Sequence, residues 1–404
     1  MITANDTHFV MHGMASAHSH AFQRLLRGRT QRRSTSADSF WSWRGLMYDL
    51  ANRLTPDQIY TVARLAYAEL AMSGVTAVGE FHYLHHDIGG KPYANRTETA
   101  EACIRAALDV GVRICLIRTA YMRGGFQQSL EPAQARFVDA DVDDVLRDIE
   151  QLQGHYANDP LVSIAVAAHS IRAVPLDAIN SLAGYARDHD LPFHMHVCEQ
   201  RRELVECEAE YGTTPVDLLA RNGILSKRFV GVHGTHLSAE EISQLGRANA
   251  LICICRTTER DLGDGLPRSA DLVAAGARLC VGVDSHCAEN AFEEVRAIEL
   301  DERSRLEQRH AALEAPALLE IATRNGYEAC NLPFGEDFVS LRRDDLSLVG
   351  IGDDLAADGV MFNGTPRAVD AVTVAGKRVV EDGRVANLAE ITHAYVSCLR
   401  NLEP

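Results

Sequence analysis

His18 and His20 stand two residues apart at the end of an apolar run. On a strand that spacing sends both imidazoles to one face, and paired neutral imidazoles suit a divalent metal. Taken alone, the pair reads equally well as two polar strand-end residues. Its weight comes from His196, His233 and Asp284, which end later apolar runs. Three imidazoles and one carboxylate make a Zn²⁺ shell with room for a water. One Zn²⁺ lowers the pKa of that water to about 7, which points to hydrolysis or deamination. Glu199, three residues past His196, is placed to carry a proton between water and a leaving nitrogen; its other reading is an N-cap acid of the next helix. His233 could itself be a ligand, with His194 or His236 as ordinary hydrogen-bonded histidines, and spacing does not decide among these. Two-metal barrel hydrolases generally use a carbamylated lysine as a bridge. No lysine occurs between Lys91 and Lys227, so one metal is expected.

These residues need a scaffold that brings distant chain positions together. From about residue 10 to 290, short apolar runs alternate with segments of helical period, which is the pattern of parallel β/α units. The predicted strands are 9-18, 75-82, 112-120, 161-169, 191-197, 229-234, 250-256 and 278-284. Each ends in polar or ionisable residues. A closed eight-stranded barrel gathers those ends around one mouth, where such barrels carry their chemistry. Thr55 to Met72 and Ser238 to Arg247 open with helix-start signals. Beyond 290 the reading is long helices over Ala291 to Gln308 and Ala315 to Ala329. Two short strands, Gly359 to Phe362 and Ala371 to Val374, and a hairpin follow. The expected division is a barrel over 10-340 and a small β annex from 1-9 and 341-404.

The 404 residues are 46% apolar and 24% charged, enough for a large core. A formal charge of −16 repels phosphate backbones and anionic headgroups, which argues against nucleic-acid or membrane partners. An anionic substrate would have to be bound by a few local arginines. The ten cysteines form no C-x-x-C pair and read as reduced, mostly buried thiols. The amino terminus has no basic segment leading into an apolar one. No uncharged apolar run approaches the roughly 18 residues of a membrane span. A cytoplasmic protein is expected, with a homodimer as its assembly.

Several runs resemble formiminoglutamate deiminase of the amidohydrolase superfamily. They are Met14-Ala-Ser-Ala-His18-Ser-His20-Ala-Phe-Gln23, Asp38-Ser-Phe-Trp41-Ser-Trp43-Arg44, Glu80-Phe-His82-Tyr83-Leu-His85-His86, His169-Ser-Ile-Arg172, His194-Met-His196-Val-Cys-Glu199 and Thr257-Thr-Glu259-Arg-Asp-Leu-Gly263. The resemblance implies a (β/α)8 TIM-type barrel with a small β-sandwich annex. It implies one Zn²⁺, or Fe²⁺, on His18, His20, His196 and Asp284, with His233, Glu199 and Asp284 as the catalytic groups. It further implies attack on the formimino carbon of N-formimino-L-glutamate, in histidine catabolism, with Gln23, Arg44, Tyr83, His169 and Arg172 holding the substrate. Two planar guanidinium forks for two carboxylates fit the local-arginine expectation.

Two departures stand out. Only 17 residues precede His18, fewer than the family usually has, which leaves either a reduced annex or a start placed too far downstream. Arg118, Arg123 and Arg256 add charge near strand ends, as structural ion pairs or as parts of a pocket altered for another formimino or guanidino compound. The rival readings are a deaminase of cyclic amidines, against which the two arginines argue, and a metal-binding barrel without catalysis, against which the complete set of ligands and shuttle argues.

Overall fold

Gly13 is where the chain changes sheets. The run read as one strand over 9-18 is two: β2 (His8–His12), whose residues alternate between buried and half-buried, and β3 (Met14–Ser19), buried throughout. Alternation belongs to a sheet with one covered face, and continuous burial to a parallel barrel strand. A Cβ on Gly13 would lie 1.9 Å from the Thr76 hydroxyl, so only glycine fits the crossing. The computed structural model describes residues 2–32 and 39–402; Asp38 lies outside them.

Seven further parallel strands follow β3 around the barrel: β4 (Val75–His82), β5 (Arg113–Ala120), β6 (Val162–Ser170), β7 (Phe193–Val197), β8 (Phe229–His233), β9 (Leu251–Ile254) and β10 (Arg278–Val281). Helices such as Pro56–Met72 and Ala239–Arg247 return the chain between strands, and both open on capping boxes, Thr55 with Gln58 and Ser238 with Glu241. The ring closes just past the end of β10. There Asp284 bridges to Ser19, its N–H donating to His18 O at 3.1 Å and its carbonyl accepting from His20 N at 2.9 Å. The backbone bonds that seal the barrel therefore run through three residues of the suspected metal shell.

A second sheet is antiparallel, in the order β1 (Thr3–Ala4), β2, β11 (Phe338–Arg342), β12 (Val369–Val374), β13 (Lys377–Glu381), β14 (Arg384–Val385). Asp337 fastens it to the barrel. Its carboxylate, 1% exposed, accepts from Arg113 Nε at 2.7 Å, Tyr327 Oη at 2.5 Å and Ala375 N at 2.9 Å. Two predicted elements change. Gly359 to Phe362 lies in the helix Ala356–Asn363, because a four-residue apolar run does not distinguish a buried strand from one buried helix turn. The helix predicted over Ala315 to Ala329 is broken at Thr323, whose φ of −123° and ψ of −94° are not helical. All ten cysteines are free thiols, as expected, and among the described residues no helix is long and apolar enough to cross a membrane.

The closure is tight enough to test. A Cβ on Gly282 would lie 2.7 Å from His18 Cβ and 2.9 Å from His18 O. Gly282→Ala should lose roughly 1–3 kcal/mol of stability, the usual cost of overpacking. A denaturant midpoint equal to wild type would show that the seam yields.

Candidate metal centre and active site

His18, His20 and His196 bring three Nε2 atoms to one point. His18 Nε2 lies 3.2 Å from His20 Nε2 and 3.1 Å from His196 Nε2, and Asp284 Oδ1 lies 3.5 and 3.3 Å from the His18 and His20 nitrogens. The protons are elsewhere. His20 Nδ1 donates to Phe81 O and His196 Nδ1 to His169 O, each at 2.9 Å. A carbonyl only accepts, so both Nε2 atoms are bare, and outward donation to a backbone carbonyl is the usual setting of a ligating histidine. Burial lowers all three imidazole pKa values, that of His18 to about 3, keeping the rings neutral as metal binding requires. For Asp284, burial is outweighed by the imidazoles around it, His18 with His20 and His233, and the carboxyl is held below its ordinary range. Converging lone pairs beside an ionised carboxylate fit a divalent cation.

His233 sits beside this cluster, its Nε2 3.8 Å from Glu199 Oε1 and 3.8 Å from Asp284 Oδ2. Its Nδ1 donates to Glu259 Oε1 at 3.2 Å. Burial alone would lower the His233 pKa, but Glu199, Glu259 and Asp284 outweigh it and raise it to about 10. Glu259 is fixed in turn by Cys255 N at 2.9 Å and Arg256 Nη1 at 2.6 Å. The sequence offered Glu259 only as part of a motif; its signal was an acid among the polar residues that end the seventh run. Glu199 makes no capping bond to the helix Arg201–Tyr211, whose N-cap is Gln200. It is buried on the pocket wall, and burial raises its pKa. His233, Asp284 and Cys198 have φ values of +73°, +52° and +53°, left-handed conformations that non-glycine residues hold only under constraint.

The pocket beyond is lined by Gln23, Arg44, Tyr83, His169 and Arg172, with Tyr121 beside them. Gln23 Nε2 donates to Tyr83 Oη at 2.8 Å, and Gln23 Oε1 is buried without a partner. Arg172 is 4% exposed, yet among the described residues its one ion pair is with Glu203 at 3.5 Å, and its Nη1 has no hydrogen-bond partner. Arg44, on the helix Phe40–Ala51, lies over the Trp41 ring at 4.7 Å and the Tyr48 ring at 5.6 Å.

The additional arginines are elsewhere. Arg118 is 1% exposed and pairs with Asp139 at 2.5 Å and Asp148 at 2.7 Å. Arg256 pairs with Glu259 and Asp301, and Arg123 with Glu210. None is among the residues lining the pocket, which fits their reading as structural ion pairs. His194 is likewise structural, its Nε2 donating to Ala329 O at 2.9 Å, and His236 is outside the pocket lining.

The amidohydrolase family model matches residues 9–379. Formimidoylglutamate deiminase of Pseudomonas aeruginosa is 35% identical over 97% of this chain and 89% of its own length. The 8-oxoguanine deaminase of the same organism is 30% identical over 94% and 84%. Among solved structures, an amidohydrolase from Brucella melitensis superposes with a TM-score of 0.90 at 36% identity, covering 97% of this chain and 89% of that one. A zinc-bound adenosine deaminase from Xanthomonas campestris superposes at 0.81 with 20% identity, covering 97% and 85%.

The buried pairing of Arg118 has a measurable consequence. Arg118→Met leaves two buried carboxylates without their cation and should cost about 3–5 kcal/mol in denaturant unfolding. A loss below about 1 kcal/mol would mean that the pair contributes little to stability.

Proposed function

The chain belongs to the amidohydrolase family, and from that premise we propose that it hydrolyses the formimino C=N bond of N-formimino-L-glutamate, giving N-formyl-L-glutamate and ammonia. It is a metal-dependent hydrolase acting on C–N bonds. The observation that carries the substrate is the contrast among buried arginines. Arg113, Arg118 and Arg256 each hold carboxylates at 2.5–2.7 Å. Arg172, also buried, lines the pocket with its Nη1 making no hydrogen bond, and Arg44 lines the same pocket. A ligand with two carboxylates supplies what these two lack, through bidentate charge-assisted bonds. A neutral heterocycle does not.

His18, His20, His196 and Asp284 would hold the metal, which we take to be one Zn²⁺. When bound, the ion supplies hydroxide at neutral pH by lowering the pKa of a water to about 7. The chain's own groups handle the rest. Arg172 and Arg44 bind the two carboxylates, and Tyr83, His169 and Gln23 fix the substrate between them. Glu199, kept high in pKa by burial, takes a proton at its carboxylate and gives it to the departing nitrogen, which leaves as ammonia. His233, protonated between Glu199 and Asp284, offers its Nε2–H to the oxygen that becomes the formyl carbonyl. Glu259 holds that ring in place from behind.

Ammonia release from N-formimino-L-glutamate, with N-formylglutamate as co-product, tests the proposal. Chelation should abolish it and zinc restore it, whereas faster turnover of a guanine or cytosine analogue would overturn the substrate. Glu199→Gln should keep the metal and lose roughly 10²–10⁴ in kcat. Arg172→Met should raise KM roughly 10–100-fold with a smaller effect on kcat, matching the loss of a charge-assisted bond. Unchanged KM would remove Arg172 from carboxylate binding.

A further inference from the structure

Ser19 lies between two of the histidines at the metal centre, and strand alternation turns its side chain to the opposite face from theirs. It is fully buried. Its Oγ donates to Glu80 Oε2 at 2.7 Å and lies 2.8 Å from His286 Nε2. Glu80, at the mouth end of β4, accepts two more bonds, from Tyr67 Oη at 2.9 Å and from Ala21 N at 2.9 Å. Three donors are aimed at one carboxylate, whose pKa burial raises to about 7. With Glu80 ionised, the Ser19 hydroxyl hydrogen goes to it and Ser19 Oγ accepts from His286 Nε2–H.

The chain of bonds crosses the seam of the barrel. Glu80 belongs to β4, Ser19 to β3, and His286 lies two residues beyond Asp284, past β10. The Cα partners of Ser19 are Glu80 on one side and Asp284 on the other. Both Asp284 and His286 hold left-handed φ, +52° and +54°, conformations that need support from outside the backbone. Arg27 Nε adds to that support by donating to His286 O at 2.8 Å. Ala21 N, the amide after His20, is bonded to Glu80 as well, so the segment carrying both histidines is held at the residue between them and at the residue after them.

We propose that Glu80, Ser19 and His286 are positioning residues for the metal: acting from the face opposite the ion, they lock His18 and His20 against Asp284 across the seam and thereby set the affinity of the site for a divalent cation. The proposal rests on the metal reading of the site and not on the identity of the substrate. None of the three touches substrate or metal. The relay differs from the bonds that orient each imidazole singly, such as His20 to Phe81 O, because it fixes one strand of ligands relative to another.

The test is Zn²⁺ affinity by competition with a chromophoric chelator, together with the visible spectrum of the Co²⁺-substituted protein. His286→Leu removes the donor to Ser19, and His286→Gln restores an N–H at similar reach. H286L should bind Zn²⁺ roughly 10–100-fold more weakly, the range found for outer partners of metal ligands, and shift the Co²⁺ bands. H286Q should stay within about threefold of wild type on the same scale, with unshifted bands. Should H286L not fold, S19A breaks the same relay and should show the same loss of affinity and the same shift. Wild-type affinity and spectrum in H286L, or equal losses in H286L and H286Q, would overturn the relay. Absence of Zn²⁺ binding by the wild-type protein would instead overturn the metal reading beneath it.

Discussion

His18 Nε2 lies 3.2 Å from His20 Nε2 and 3.1 Å from His196 Nε2, and this barrel is built so that the three cannot move apart. His18 and His20 are fixed because their strand is one side of the seam, Asp284 because its backbone is the other side, and His196 because its Nδ1 is bonded to the neighbouring strand. Glycine at 282 lets the two sides approach. The left-handed backbone at Asp284 and His286 turns the chain inward as soon as β10 ends. Barrel closure and the placement of these side chains share one set of bonds, and the polar cluster sits at the mouth.

The same economy governs charge. A chain with net charge −16 gives an anionic ligand no help at long range. The interior nonetheless holds several guanidinium groups, which the protein treats differently; Arg136, fully buried, is met by the His86 and Ala51 carbonyls. Arg113, Arg118 and Arg256 are neutralised by carboxylates in direct contact and act as struts. Arg172 is left half-satisfied: its Nη1 makes no hydrogen bond, lies 3.5 Å from Glu203, and the residue lines the pocket. An incompletely paired buried cation is unfavourable until a ligand completes it, and the proposed dicarboxylate substrate would make up that deficit.

How much of this was legible beforehand depends on the range of the interaction. The eight barrel strands could be read because strands buried on both faces leave unbroken apolar runs, and polar ends mark the mouth. His18, His20, His196, His233 and Asp284 could be singled out because chemistry restricts which residues hold a divalent metal, and the choice of four ligands among them came only with the family resemblance. Local signals failed where two structures share one pattern: the run 9-18 spans two sheets, and 359-362 is a helix turn. What the chain could not announce were pairings set by topology. Glu259 behind His233 and His286 on Ser19 are separated by 26 and 267 residues, and neither makes a recognisable spacing. The arginines were ambiguous for the same reason, since Arg118 and Arg172 look alike until their neighbours are known.

The smaller sheet joins the two ends of the chain, for β2 at His8–His12 pairs with β11 at Phe338–Arg342. During synthesis the first of these strands leaves the ribosome long before its partner exists. At roughly 5–20 residues per second, that interval is on the order of tens of seconds. Throughout it β2 is an open edge with apolar side chains on one face, the kind of surface that invites pairing with other chains. The sheet can therefore form only after β11 has been made, and until then β2 is exposed to misassembly or to a chaperone.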